Sequence, residues 1–218
     1  MEDAILITGK QSSFTDDLVQ ESLGRRLRVF ATHDAEDTAP EVPDSFGDTL
    51  RYVPWTRRSV ISARSMLLNV ERESDRVGRA IVVCAPEGIN KPLHQTESAI
   101  IEESIDVSLK GYLFVIKEII AYFVRLGRGD LTVVWYDGGS EIVPPLDASL
   151  AGAVQSLTRS LLAFYENESV TIRGMQASDS DGRTVARWVL DHAIDRAEKS
   201  AGRWQKYGQK MGILPFKR

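Results

Sequence analysis

The chain has 218 residues, of which 43% are hydrophobic and 27% charged, a balance that excludes a mainly disordered protein. Its 27 Lys and Arg residues against 31 Asp and Glu give a net charge of −4, but residues 196–218 hold seven basic residues and one acidic residue. This segment therefore carries +6 and the remaining residues −10, which excludes a general nucleic-acid binder, since that needs a basic face on the domain itself.

Short apolar runs alternate with helical patterns along the chain. The runs predict six strands, at residues 4–8, 27–32, 50–53, 80–85, 131–136 and 170–173. Apolar residues at helical spacing predict helices at 16–23, 59–70, 97–126 (broken near Gly111), 146–165 and 184–199. This alternation predicts an α/β fold, a Rossmann-like doubly wound parallel sheet of order 3-2-1-4-5-6 with helices on both faces. We expect one domain at residues 1–195 and a basic C-terminal arm at 196–218.

The sequence also bears on where the protein works. Cys84 is the single cysteine, so no intrachain disulfide can form, which favours a reducing compartment. The N-terminus lacks a signal pattern, and the longest apolar stretch, 111–126, is interrupted by charges and shorter than the ~20 residues that span a bilayer. We therefore expect a cytoplasmic protein that binds neither a membrane nor nucleic acid.

Five segments, in the correct order, resemble the short-chain dehydrogenase/reductase family. ILITGKQSSFTDDLVQESLGRRLRVFAT resembles that family's first strand, glycine turn, helix and second strand, and AIVVCAPEG lies where its fourth strand and Asn-Asn-Ala-Gly turn would be. SIDVSLKGYLFVIKEI resembles its Asp-Val-Asn-x-x-Gly helix, GDLTVVWY its fifth strand, and PPLDASLAGAVQSLTRSLLAFY the helix with Tyr-x-x-x-Lys. The resemblance runs from residue 4 to about residue 175, and it implies hydride transfer with NAD(P) as cofactor.

The positions that resemble the family's catalytic residues hold other side chains. The family uses a tyrosine whose pKa is lowered from about 10 by a lysine, together with a serine and an asparagine. Here Asp147 stands at the tyrosine position, Ala151 at the lysine, Ser108 at the asparagine, and Trp135 or Tyr136 at the serine. None of the six tyrosines has a lysine four residues later, so the sequence predicts no catalytic residue of the family type.

The turn that would hold the cofactor is altered as well. Gly9 remains, whereas Ser13 and Thr15 occupy the other two glycine positions, and two acidic residues follow. A Cβ atom there crowds the pyrophosphate, and carboxylates repel it. Asp34 follows the second strand, where it either binds a ribose hydroxyl or lies solvated in a loop. We expect no cofactor on this chain and, since the histidines lack metal-ligand spacing, no metal.

Two helices resemble those that pair subunits in the family. The candidate contacts are Tyr112, Val115, Ile119, Tyr122 and Phe123 on the first helix, the small residues Ala148, Gly152 and Ser156 on the second, and Trp204 and Tyr207 in the arm. Exposed aromatic and aliphatic surface usually marks an interface, although the first helix could instead direct all of it at the sheet.

The sequence therefore predicts a non-catalytic subunit that stabilises or completes the active site of a catalytically active partner of the same family. The resemblance implies an α2β2 hetero-oligomer, an alcohol or hydroxyacyl-CoA dehydrogenase in which the partner holds NAD(P). Two alternatives stay open. One is a ligand- or nucleotide-sensing regulator that reuses the fold, and the other is an enzyme with relocated catalytic residues, such as Asp147 or Tyr136.

Overall fold

A computed structural model describes residues 4–74, 76–140 and 142–208. Its strands and helices are, in chain order, β1 Ala4–Gly9, α1 Ser13–Gly24, β2 Val29–Asp34, β3 Leu50–Trp55, α2 Val60–Glu73, β4 Val77–Cys84, α3 Ser98–Ser104, α4 Gly111–Leu126, β5 Gly129–Tyr136, α5 Pro145–Phe164, β6 Val170–Ala177, α6 Gly182–Leu190, α7 Ala197–Ser200 and β7 Trp204–Lys206. Short π-helical turns at Ile105–Lys110 and Asp191–Asp195 link α3 to α4 and α6 to α7. Within the described ranges, no helix is both long and apolar enough to cross a membrane.

The strands form one parallel sheet between two layers of helices. Alternate residues of β1 face opposite layers, as the period of a strand requires: Leu6 packs with α2, α4 and α5, whereas Ile5 and Ile7 pack with α1 and α6. The strand order is β3-β2-β1-β4-β5-β6-β7, so the direction of winding reverses between β1 and β4. This switch point opens a crevice at the carboxyl ends of the strands, where doubly wound folds bind ligands.

The predicted order of six strands was incomplete, because a seventh strand extends the sheet. β7 pairs with β6, and Tyr207 N donates to Gln176 O beyond it at 2.8 Å. A Cβ atom at Gly174 would lie 2.2 Å from Cε3 of Trp204, so the indole packs directly on the β6 backbone. Trp204 and Tyr207 thus contact their own domain and remain partly exposed, so their predicted contact with a neighbour stays a prediction. Residues 209–218 of the predicted arm lie outside the described ranges.

The apolar face of α4 also packs within the protomer, against the prediction. Tyr112, Val115, Ile119, Tyr122 and Phe123 are all buried, because α4 packs on both the sheet and α2. The hydroxyls of the two tyrosines accept backbone N–H groups at opposite ends of β4, from Ala85 and Val77. These five residues are therefore core, and the expectation that they contact a second subunit is corrected.

A buried arginine fastens the C-terminal elements to the sheet. Arg173 of β6 is 2% exposed; its Nε donates to Ser200 Oγ at 2.9 Å and its Nη2 to Asp130 Oδ1 at 2.9 Å and Ala197 O at 3.1 Å. The sequence pattern ended the strand at this charged residue, whereas the structure continues it for four more residues. These three hydrogen bonds offset part of the cost of burying the charge, whereas Nη1 is buried without a hydrogen-bond partner among the described residues.

We predict that Arg173→Leu lowers the free energy of unfolding by about 2 kcal/mol or more, because it leaves Asp130 and the α7 acceptors without their donor. Urea unfolding measures the change. Arg51→Leu is the matched control: Arg51 also lies on a strand, but its pair with Glu73 is half exposed, so we expect a change within about 0.5 kcal/mol. Equal effects of the two substitutions would contradict the role of Arg173 as a fastening residue.

Candidate functional site

The crevice at the switch point begins at a turn that only glycine can make. Gly9 ends β1 with φ of +125°, and a Cβ atom there would lie 2.0 Å from the carbonyl oxygen of Val83. The next residue, Lys10, donates its backbone N–H to the same carbonyl at 2.9 Å. This part of the glycine turn is therefore preserved by close contact between β1 and β4.

The side-chain hydroxyls of Ser12 and Thr15 form hydrogen bonds at the first turn of α1. Ser12 caps the helix: its Oγ accepts the N–H of Thr15 at 3.4 Å and lies 3.3 Å from Thr15 Oγ1. Thr15 Oγ1 donates to Lys10 O at 2.7 Å, which ties the helix to the turn. Asp16 follows, with its pKa raised by burial and by the charge of Asp17. Of the two altered glycine positions, Thr15 thus stabilises the turn itself.

A carboxylate that the sequence did not single out as a site residue forms the centre of the crevice. Glu87, after β4, accepts from Lys10 Nζ at 3.1 Å, from Arg57 Nη1 at 2.9 Å and from Ser108 Oγ. Lys10 Nζ also donates to Pro86 O. Burial raises the pKa of Glu87, but the charges of Arg57 and Lys10 and the Ser108 hydrogen bond outweigh it, so the net pKa is lowered. We call Glu87, Lys10, Arg57 and Ser108 the Glu87 bridge.

Asp147, at the tyrosine position, is fully buried at the start of α5. Its Oδ1 accepts the N–H of Glu87 at 2.8 Å, and its Oδ2 accepts that of Gly88 at 3.3 Å. The carboxylate therefore holds the loop after β4 in place. Ala151, one turn further along α5, is half-buried and carries no group that could transfer a proton.

The structure brings Ser108 and Asp147 to the same loop but separates Tyr136 from them. Tyr136 lies on the other face of the sheet, with its ring stacked on Phe14 of α1 at a centroid distance of 4.0 Å. Its pKa is raised by burial and then by the carboxylates of Asp179 and Asp17. The ring of Tyr136 therefore packs against α1, on the face of the sheet opposite Ser108 and Asp147.

Three cavities surround the Glu87 bridge. One of about 190 Å³ lies at the ends of β1–β3 and includes Gly9, Lys10, Asp34 and Arg57 in its walls. A second, of about 460 Å³, shares Asp34 and Arg57 with it and extends to α3. A third, of about 170 Å³, lies against Asp147 on the other side of the loop after β4.

Two other side chains that could take part in chemistry, those of His33 and Cys84, have structural surroundings. His33 Nδ1 lies 2.8 Å from Asp34 O, and Cys84 is buried in β4, where burial raises the pKa of its thiol. In the part of the chain that the structure describes, His, Cys, Asp and Glu residues form no cluster of three that could hold a metal ion.

Comparison with known proteins shows the fold. No family model matches the chain, and no curated protein matches it. Among solved structures, ElxO with NADP bound has a TM-score of 0.81 at 13% identity, covering 94% of this chain and 97% of that one. The 3-ketoacyl-(acyl-carrier-protein) reductase from Brucella melitensis, complexed with NADH, has a TM-score of 0.78 at 13% identity, with 94% and 96% covered. A short chain dehydrogenase from Bacillus anthracis str. 'Ames Ancestor' has a TM-score of 0.78 at 13% identity, covering 93% of this chain and 94% of that one.

The chain therefore has the fold of short-chain dehydrogenases, as the resemblance implied. These comparisons correct one expectation drawn from the altered turn, that no cofactor binds to this chain. Structures with this fold over almost the whole chain hold NADP or NADH, and the turn at Gly9, with the cavity beside it, is present in this protein.

We predict that the Glu87 bridge contributes to stability in a pH-dependent way. Because the pKa of Glu87 is lower in the folded chain than its ordinary value of 4.5, the ionised form favours folding. Its contribution is fully present above that value and is lost as the pH falls through the folded pKa. The difference in free energy of unfolding between the wild type and Glu87→Gln should therefore shrink as the pH falls from about 5 to about 3.

Chemical unfolding across this pH range measures that difference. The control is the same comparison in an Arg57→Gln background. This background lacks the charge that lowers the pKa of Glu87 most, so the difference in free energy of unfolding should depend less on pH. If the difference in free energy of unfolding between the wild type and Glu87→Gln stayed constant with pH, it would contradict the pH-dependent stabilisation by the Glu87 bridge.

Proposed function

We propose that this chain is a non-catalytic subunit with the short-chain dehydrogenase fold, which works beside a catalytically active partner of the same fold. The observation that carries the proposal is the bonding of Asp147. The position from which a tyrosine would exchange a proton holds a carboxylate that accepts two backbone N–H groups and is closed off from solvent. Both carboxyl oxygens are therefore engaged in holding the loop after β4.

The other catalytic positions support the same proposal. Ser108 donates to Glu87, and Ala151 lacks a charge that could lower the pKa of a neighbouring acid. General acid–base catalysis needs a group with a suitable pKa within hydrogen-bond reach of the reacting atom. Ser108 instead binds Glu87, and Asp147 binds the backbone.

The fit of a nicotinamide dinucleotide differs between its two halves. The adenosine half would be held beside the turn, where Gly9 and Asp34 line one cavity and the Asp34 carboxylate could accept a hydrogen bond from a ribose hydroxyl. The nicotinamide half does not fit, because Lys10 crosses the crevice to Pro86 and Glu87. We therefore propose that the chain holds a nucleotide through its β1–β3 side and carries out no hydride transfer. When bound to a complete site, the dinucleotide supplies a hydride acceptor or donor.

The partner would dock on the exposed face of α5. Ala148, Gly152 and Ser156 lie on this face and are exposed, and such small residues would let a second helix approach closely. A Cβ atom at Gly152 would meet nothing within 4 Å, so the helix leaves open space there. An α2β2 arrangement and an alcohol or hydroxyacyl-CoA substrate for the partner remain predictions from the family resemblance.

We predict that the chain purified alone gives no cofactor-dependent turnover of hydroxy or keto substrates, because its proton-transfer positions are engaged in structural bonds. Nicotinamide fluorescence follows the reaction, and a catalytically active dehydrogenase of the same fold serves as the positive control. Turnover by the isolated chain that Asp147→Asn abolishes would overturn the proposal and favour an enzyme with relocated chemistry.

We also predict that the chain forms a stable complex with a dehydrogenase encoded beside it, and that Gly152→Arg abolishes this complex. The arginine fits the open space of the isolated chain but blocks close approach of a second helix. Co-purification and analytical ultracentrifugation measure assembly, and Ser65→Arg on the exposed face of α2 is the matched control. A homogeneous homo-oligomer with no affinity for that partner would contradict the partner role.

The second candidate is a nucleotide-sensing regulator, which is favoured by the two neighbouring cavities that share Asp34 and Arg57 as lining residues. It predicts that the isolated chain binds a nucleotide and needs no dehydrogenase partner. Calorimetry on the isolated chain, combined with the assembly measurement, separates the two candidates.

A further inference from the structure

A further cavity lies between α5 and the edge strand β7, at the side of the sheet away from β1–β3. Its volume is about 280 Å³, close to the lower end of the ~300–1,000 Å³ typical of ligand pockets. It shares Asp137 and Val143 with the cavity against Asp147, but no lining residue with the two cavities on the β1–β3 side. It is therefore separate from the crevice at the switch point, with room for a small ligand.

Two tryptophans and three small residues of α5 line this cavity. Trp135 of β5 is 2% exposed, and Trp204 of β7 is partly exposed. Ala148, Ala151 and Gly152 have no side-chain atom beyond Cβ, and a Cβ atom at Gly152 would meet nothing within 4 Å. The helix therefore leaves room near the two indoles that a longer side chain would fill.

The charge of the cavity wall comes from Asp137. Among the residues that the structure describes, no Lys, Arg or second carboxylate lines the cavity. The Asp137 carboxylate accepts the N–H of Gly139 through Oδ1 at 3.1 Å, and within the described ranges it forms no ion pair. The Arg159 guanidinium lies 6.0 Å from the centroid of the Trp204 ring, but Arg159 does not line the cavity. The lining residues thus carry a net charge of −1, which favours a cation.

Indole rings and a carboxylate together suit an organic cation. The face of an aromatic ring carries negative charge density, and tryptophan attracts a cation more strongly than the other aromatic residues do. A substituted ammonium group can contact such rings while its alkyl groups contact the small apolar residues of α5. In a partly enclosed cavity, the attraction to a nearby carboxylate is stronger than in open water.

We propose that this cavity binds a small organic monocation, whose substituted ammonium group lies against Trp135 and Trp204 and close to the Asp137 carboxylate. The inference goes beyond the proposed function, because neither a nucleotide nor a dehydrogenase partner takes part. Ala148 and Gly152 belong both to this cavity and to the α5 face proposed for docking. The full chain without a partner is therefore the form in which the site is tested.

An NMR titration of the full chain compares choline with its neutral isostere, 3,3-dimethylbutan-1-ol. We expect choline to shift the indole N–H signals of Trp135 and Trp204, but not those of the other two tryptophans, which do not line the cavity. Choline should bind about tenfold more tightly than the isostere or more, because the two probes differ in charge but hardly in shape.

Asp137→Asn isolates the contribution of the charge, because asparagine keeps a side-chain oxygen that can accept the N–H of Gly139. The affinity for choline should fall about fivefold, whereas the affinity for the isostere should not change. Asp179→Asn is the matched control, since Asp179 accepts the N–H of Asp181 through Oδ1 at 2.9 Å but does not line the cavity. For this control we expect a change below about twofold.

Gly152→Leu gives a second readout, which remains available if Asp137→Asn fails to fold. The leucine side chain fills the cavity, so the affinity for choline should fall about tenfold or more. Ser160→Leu is the control, because Ser160 is exposed on α5 and does not line the cavity. Thermal unfolding of each variant verifies that it is folded before titration.

Four outcomes would overturn the inference: no binding of choline, equal affinities for choline and the isostere, equal effects of Asp137→Asn and Asp179→Asn, or an affinity that Gly152→Leu leaves unchanged. Each is distinct from failure of the proposed function. That failure would show as hydride transfer by the isolated chain, or as no affinity for a dehydrogenase partner.

Discussion

The Glu87 carboxylate joins three parts of the chain that the sheet alone leaves separate. It lies after β4, and it binds Lys10 from the end of β1, Arg57 from the end of β3 and Ser108 from the turn before α4. Partly buried charges interact more strongly than exposed ones, but each must be paired because its hydration is lost. The bridge meets this requirement with two cations and a hydroxyl, and it does so at the switch point, where this fold otherwise leaves an open crevice.

Around the bridge, two further side chains at positions of catalytic or cofactor-binding residues form structural hydrogen bonds. Asp147 binds the backbone at Glu87 and Gly88, and Thr15 binds the carbonyl of Lys10. Asp147 stands at the position of the catalytic tyrosine of short-chain dehydrogenases, and Thr15 stands at a glycine position of their cofactor-binding turn. The hydrogen bonds that these groups form hold the loop after β4 and the turn at Lys10 in place. This arrangement supports the proposal of a scaffold without hydride transfer.

Much of the fold could be predicted from the sequence, because apolar runs such as that of β4 have the length and composition of buried parallel strands. β7 could not, since a strand of three residues, Trp204–Lys206, shows no periodicity, and its pairing depends on the space that Gly174 leaves. The aromatic face of α4 was assigned to a partner because the sequence does not show that α2 covers it. The Glu87 bridge joins residues that are 30 and 77 positions apart, so no local pattern reveals it. By contrast, the missing Tyr-x-x-x-Lys is local, and the sequence alone established it.

A double-mutant cycle between Lys10 and Glu87 tests the bridge most directly. The free energy of unfolding is measured for the wild type, Lys10→Ala, Glu87→Gln and the double variant at neutral pH and low salt. If the two side chains bind each other across the crevice, the effects are not additive, and we expect a coupling energy of about 1 kcal/mol or more. Additive effects, within about 0.3 kcal/mol, would show that Lys10 and Glu87 do not bind each other, and would contradict a crevice divided by the Glu87 bridge.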